Sequence, residues 1–254
     1  MSTRQASGFA QLPPEGGILR NDTVRKFELG TVISDTLGNS YRYVKAAEAL
    51  AIGQCITATA KAAWDSTIVM DGDSAVGDLY IHVDTLATAM TVNQWRGYYV
   101  SQATAAGLGR GYKIKSHASA AIAGELDIFL EDAIQEIIAD GVVVLIYNPY
   151  VVELVDADTE VIMGVCVGTI ASGSYGFVQV GGHCPAVQEG HSTSAASVIN
   201  EPLVPVAAVP GAVQGMAGSG ETDVMEAAAS PLRALQAVGA NTTGYVEAFI
   251  QGLV

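Results

Sequence analysis

Four histidines, three cysteines and a few clustered carboxylates are the side chains through which this chain could do chemistry. The histidines are His82, His117, His183 and His191, and none belongs to a His-Glu-x-x-His pattern. No Gly-x-Ser-x-Gly elbow and no P-loop occurs either, so the common zinc-hydrolase, serine-hydrolase and nucleotide signatures are missing. Asp71-Gly72-Asp73 offers the hard oxygen ligands that calcium prefers. The remainder of an EF-hand loop, including its terminal Glu, is lacking, and a solvated turn is the simpler reading. His183-Cys184 with His191 gives three zinc-type donors without a regularly spaced fourth. A buried thiol beside a surface histidine explains the pair more economically. Gly107-Leu108-Gly109-Arg110-Gly111 is glycine-rich, but it does not follow a clear strand and open a helix. It reads as a hairpin loop. The expectation is therefore no enzyme, no catalytic residue, no bound metal and no cofactor.

Cys55, Cys166 and Cys184 are odd in number, widely spaced and without a Cys-x-x-Cys pair. Free, buried thiols are expected, since an unpaired cysteine behaves as a small hydrophobe. The N-terminal MSTRQASGFAQLPPEGG has no apolar stretch of the signal-peptide kind, so maturation in a cytoplasm is expected. No window reaches 18 consecutive apolar residues, and no spanning helix is predicted.

The elements that would have to position any site are short. Half of the 254 residues are hydrophobic and 15% are charged, which excludes disorder of the whole chain. From about Phe27 onward, apolar or alternating runs are punctuated by Gly, Asp, Asn and Ser. Strands are predicted over 41–44, 55–60, 67–70, 78–83, 97–100, 111–115, 125–130, 141–147, 161–167 and 175–180. A final pair is predicted over 232–238 and 245–250. Turn signals every 8–12 residues with few helix-length patterns predict an all-β fold, a sandwich or barrel with minor helix. Helix is expected over Leu130–Ala139, where Ile134, Ile137 and Ile138 would share a face, and less clearly over Glu221–Ala229. The Ala-rich stretch Val44–Ile52 could form a short one.

Residues 1–24, with Pro13-Pro14 and Gly16-Gly17, read as an extended N-terminal arm. Residues 25–190 are expected to be the main β domain, and 191–254 a C-terminal β segment or a second small β unit, the stretch 191–220 reading as loops and short edge strands. One internal echo stands out: Gly77 to Asp84 (GDLYIHVD) and Gly124 to Glu131 (GELDIFLE) share the pattern Gly, acid, Leu, x, Ile, x, aliphatic, acid. Two similar strands of one β domain account for it.

Charge is unevenly spread. The net charge is −14, yet residues 1–120 carry eleven Lys/Arg against ten Asp/Glu, while 121–254 carry sixteen Asp/Glu and only Arg233. Such an acidic half repels polyphosphate and argues against nucleic-acid binding. It also keeps a protein soluble at high local concentration.

Residues 93 to 150 carry a family resemblance. Trp95, Gly97-Tyr98, Gly109 to Gly111, Tyr112-Lys113-Ile114-Lys115-Ser116-His117, Leu126 to Asp132 and Val142 to Tyr150 follow one another as in a block of tailed-phage virion proteins. Tyr41 to Ala47 and Ser174 to Gly182 add to it. The chain resembles the capsid-decoration (cement, or head-auxiliary) proteins of tailed bacteriophages over roughly residues 27–185 and the last strand. The resemblance implies a structural virion protein bound outside the major capsid protein lattice, homo-oligomeric with a trimer favoured, and touching neither nucleic acid nor membrane. Arg4, Arg20, Arg25 and Lys26 in and just after the arm are the candidate contacts to capsid or neighbour. The alternatives are another virion component (a head-fibre base, tail-tube or major capsid protein) or a carbohydrate-binding β domain using Trp64, Trp95 and tyrosines as a sugar platform.

Overall fold

The structure is a computed structural model of the chain, and it describes residues 17–59, 65–84, 89–102, 110–157, 160–189, 200, 202–206, 209–215, 230–235 and 244–251. It is all-β. The strands are β1 (Val32–Ser34), β2 (Ser40–Ala46), β3 (Cys55–Ala58), β4 (Asp65–Met70), β5 (Tyr80–Asp84), β6 (Tyr99–Gln102), β7 (Gly111–His117) and β8 (Leu126–Leu130). They continue as β9 (Val143–Tyr147), β10 (Val151–Leu154), β11 (Gly164–Cys166), β12 (Tyr175–Gln188), β13 (Leu203–Pro205), β14 (Val213–Gly215), β15 (Leu232–Ala234) and β16 (Gly244–Ile250). The one helical element among the described residues is a 3-10 turn, Gly17–Leu19. Every strand predicted from sequence overlaps an observed one. β1 and β10 were not foreseen.

Contacts divide the chain into two compact units. Thr59–Pro149 forms one; Met1–Ala58 and Tyr150–Val254 together form the other. The sequence-based boundary at residue 190 does not coincide with this division. β16 lies beyond 190, yet it pairs with β12 from Gly182↔Ile250 to Gln188↔Gly244.

In the inserted unit, β4-β5-β8-β7-β6-β9 close into a six-stranded antiparallel barrel. Alternation does the sorting, because successive side chains of a strand face opposite sides. In β8, Leu126, Ile128 and Leu130 are buried while Asp127 and Phe129 are exposed. The core contains Ile68, Met70, Ile81, Val83, Ile114, Ile128, Val144 and Ile146, closed by Trp95, Ile134 and Ile138. The two echoed segments are β5 and β8 themselves, paired Tyr80↔Phe129, Ile81↔Ile128, His82↔Asp127 and Val83↔Leu126.

In the other unit, β2-β10-β3-β11-β12 close through the β12–β2 pairing into a five-stranded ring. Val44, Leu50, Ile56, Val152, Cys166, Ile170 and Val178 fill it. β12 is long enough to serve twice. Its first half pairs with β2 and β11, and its second half pairs with β16, with Gln188 also opposite Val213 of β14. The change of partner falls at a register shift between Gln179 and Gly181. Gly182 has φ +91° there, and any Cβ would collide with the Asn39 side chain; only glycine fits. β13 pairs with β14, β15 with β16, and a bridge from Pro202 to Arg233 links the two pairs.

Three expectations fail. Leu130–Ala139 is not a helix, although Ile134 and Ile138 are buried as the pattern required. Its backbone bonds go elsewhere: Ile134 N–H donates to Asp78 O, and Ser74 and Ile138 exchange N–H···O bonds. Pairing with the 74–78 loop satisfies the same groups that a helical turn would. Val44–Ile52 is strand to Ala46 and then bends to a bridge between Leu50 and Ile170. Of the segment expected as an arm, residues 17–24 are packed. Ile18 packs with the buried Tyr43 and Phe177, and Asp22 bridges Tyr175 by two backbone bonds. Residues 1–16 and the Glu221–Ala229 segment lie outside the described residues.

Candidate functional site

The basic residues proposed from sequence are mostly occupied. Arg20 clasps Asp22 (Nη2 to Oδ1 2.9 Å), and its guanidinium lies 5.1 Å over the Phe27 ring. Arg25 is 3.8 Å from Glu28. Lys26 is fixed through its backbone, whose N–H donates to the Tyr43 hydroxyl at 3.2 Å. Arg4 lies outside the described residues. Arg20 is thus a fold contact.

The other sequence candidates resolve into structural roles. Asp73 Oδ1 accepts from Asp140 N–H (2.8 Å), while Asp140 Oδ1 accepts from Gly72 N–H (3.0 Å). This reciprocal clasp ties two loops. His183 and Cys184 are consecutive in β12, so they face opposite sides. His183 is exposed against the Phe249 ring, and Cys184 is buried. They cannot share a metal, and His191 lies outside the described residues. All three cysteines are free and buried. Burial pushes the Cys166 and Cys184 thiols up to about 12 and the Cys55 thiol well above its usual value. Trp95 is 6% exposed and is core, not a sugar platform; Trp64 lies outside the described residues.

Of the glycine-rich run, Arg110 and Gly111 are described. Arg110 bonds Gln135 and Glu136, both at 3.1 Å. Beside them is a groove of about 350 Å³ lined by Arg110, Gly111, Tyr112, Asp132, Ala133 and Gln135. Its described lining holds no histidine, cysteine or serine.

Residues of the resemblance block hold one another. His117 Nε2 accepts from Trp95 N–H (2.9 Å), and its Nδ1–H donates to Ala118 O (2.7 Å). Asn93 Oδ1 accepts from His117 N–H (3.1 Å), and Asn148 Nδ2 donates to Gly97 O (3.0 Å). Both imidazole nitrogens are used by the neutral ring. Burial lowers the pKa of His117, partly opposed by the Ala118 carbonyl.

The outer face of β5 and β8 is the most distinctive surface. Tyr80 and Phe129, opposite one another, are 47% and 45% exposed with ring centroids 6.2 Å apart. Val76 and Leu79, just before β5, are also exposed. Two residues along the same face, His82 Nδ1 meets Asp127 Oδ1 at 2.6 Å. His82 Nε2 lies 3.4 Å from Asp71 Oδ2 and 3.7 Å from Glu125 Oε2. The hydrogen bond to Asp127 raises the imidazole pKa. Burial opposes it, and the charges of Asp127, Asp71 and Glu125 add to the rise. Sequence reading passed over this cluster. The one signal that could have found it was the internal echo, which aligns the two strands that pair His82 with Asp127.

Comparison with protein-family models, with curated proteins and with solved structures returned no match to this chain.

Proposed function

We propose that this chain is a structural, non-enzymatic virion protein that decorates the outside of a tailed-phage capsid. It binds the major capsid protein lattice as a homo-oligomer, a trimer being the form expected, after assembly in the host cytoplasm. The observation that carries the reading is the exposed Tyr80–Phe129 pair, flanked by Val76 and Leu79, on an otherwise charged barrel face. Aromatic anchors beside polar groups are the usual make-up of the energetic centre of a protein contact. Two features support it. Strands closed into barrels leave few edges on which crowded copies could aggregate. The acidic composition keeps such copies apart in solution. Repetition over a lattice lets each contact be moderate while the shell as a whole is held firmly. The resemblance over residues 93–150 supplies the particular class of partner.

Quantitative mass spectrometry of purified particles tests this. The copy number should be commensurate with that of the major capsid protein, and mild heating should shed this protein before the shell breaks. A few copies per particle would point to a tail or vertex component, and absence from particles would end the reading. Tyr80→Ser with Phe129→Ser should leave the fold intact and lower the copies retained. Undiminished retention would move the contact away from this face.

A further inference from the structure

We propose that Asp71, His82 and Glu125 form a binding site for a divalent transition-metal ion of the zinc class, with Asp127 orienting the imidazole. Three neighbouring strand segments contribute. Asp71 directly follows β4, His82 lies within β5, and Glu125 directly precedes β8. In barrel order these strands are adjacent, with β5 in the middle. Register fixes the set, because Asp71 N–H donates to His82 O (3.0 Å) and His82 is paired directly with Asp127. A site built on strands is held more tightly than one on free loops.

The donor atoms lie at ligand spacing. All three come within 4.8 Å of one another, and the His82 Nε2 distances to Asp71 and Glu125 are 3.4 and 3.7 Å. Two ligands about 2.0–2.1 Å from one tetrahedral ion stand about 3.3 Å apart, so small side-chain shifts suffice. The fourth residue makes this more than a group of acids. Asp127 lies 2.6 Å from Nδ1; as the acceptor of the Nδ1–H it would leave Nε2, 3.4 and 3.7 Å from the two carboxylates, free to bind an ion. A carboxylate on the far nitrogen of a histidine ligand is the recurrent outer partner of protein zinc sites. One imidazole and two carboxylates favour zinc, cobalt or manganese over calcium, which takes six to eight oxygens. Three protein ligands leave a coordination position open to water or to a neighbouring molecule.

The inference goes beyond the capsid reading and needs no particle for its test. Isothermal titration of the purified, metal-stripped full chain with zinc should show saturable binding of one ion per chain. His82→Gln should abolish that binding, and Asp127→Ala should weaken it about 10–100-fold. Circular dichroism of both variants should match the parent, since both side chains lie outside the core. Cobalt bound at this site should show no intense thiolate-to-metal band. Binding unchanged in His82→Gln, a thiolate band, or displacement of zinc by equimolar calcium would each overturn the proposal. The last would mean that the imidazolium alone balances an ordinary acidic patch.

Discussion

Asp22→Ala should unseat the beginning of the ordered chain and destabilise the unit that contains it. The Tyr43 ring is fully buried. Its hydroxyl donates to Asp22 Oδ2 at 2.9 Å and accepts from Lys26 N–H at 3.2 Å. Without the carboxylate, the hydroxyl keeps the bond it accepts and loses the one it donates. An unsatisfied buried donor costs about 1–3 kcal/mol. The Arg20–Asp22 pair, only 13% and 12% exposed at its side chains, is lost as well, so about 2 kcal/mol is the working figure. For a unit of this size each kcal/mol moves the melting temperature about 2–4 °C, so a fall of about 4–8 °C is expected. Asp22→Asn keeps an acceptor for Tyr43 and should lose about half as much. Differential scanning calorimetry is the assay, because it can separate the transitions of two units. Tyr43→Phe and the double variant complete a cycle, with a coupling of about 0.5–3 kcal/mol between contacting residues. The pH dependence gives a further check. Burial works against the Asp22 charge, but the bonds from Arg20 and Tyr43 outweigh it and lower the pKa. A lowered carboxyl contributes stability above its unfolded value near 3.9 and loses it as the pH falls through the folded value. The penalty of Asp22→Ala should therefore shrink toward pH 3. An unchanged melting temperature, or strictly additive effects in the cycle, would return residues 17–24 to the status of a loose arm.

Three other outcomes are expected. His117 is held neutral, so stability should fall as the pH drops below its unfolded value near 6.5, by at most about 1.4 kcal/mol per pH unit, until the lowered folded value is reached. The raised His82 contributes with the opposite sign, so the quantity to measure is the difference between the parent and His117→Gln; a His117 ring resonance titrating at or above 6.5 sinks the prediction. The cysteines should resist alkylation in the native protein and give three adducts after denaturation without reductant; rapid native labelling, or fewer than three adducts, contradicts their burial as free thiols. A chain lacking residues 1–16 should keep the parent's melting temperature yet be retained less well on particles; early unfolding would make that segment part of the core, and full retention would leave the contact to the barrels.

Much of the fold was legible because each strand announces itself locally. Leu126, Ile128 and Leu130 alternate with polar or exposed partners, and Gly or Asn closes most runs, so strand positions follow from period and turn chemistry. Closure was not legible, since it depends on which strands meet. Parallel pairing of Val151 with Lys45 and antiparallel pairing of Tyr175 with that same Lys45 complete one ring, and nothing local encodes that. The 130–139 segment misled for a related reason. Ile134 and Ile138 are buried as a helix face would be, but tertiary partners at Ser74 and Asp78 took its backbone bonds. The His82 cluster was hidden by separation, because Asp71 and Glu125 reach it only through the register of three strands.

The block that carries the phage resemblance also shows why a motif rich in His, Asn and Trp need not be a reaction centre. Asn93, Trp95, Gly97, His117 and Asn148 spend their polar groups on one another and on the backbone. A buried imidazole with both nitrogens engaged cannot shuttle a proton without first breaking a bond that holds the barrel. Substitutions there should register as lost stability, whether or not a particle is present. Tyr80 and Phe129 are the reverse: half-exposed on the outer face, they contribute little to an isolated barrel. Partner binding is what would give them a role. A pair of substitution sets, one in the buried knot and one on the β5/β8 face, therefore separates what the sequence block needs to fold from what the surface needs to dock. Equal loss of stability from both sets would mean that the exposed aromatics serve the fold, and the docking face would have to be sought elsewhere on the molecule.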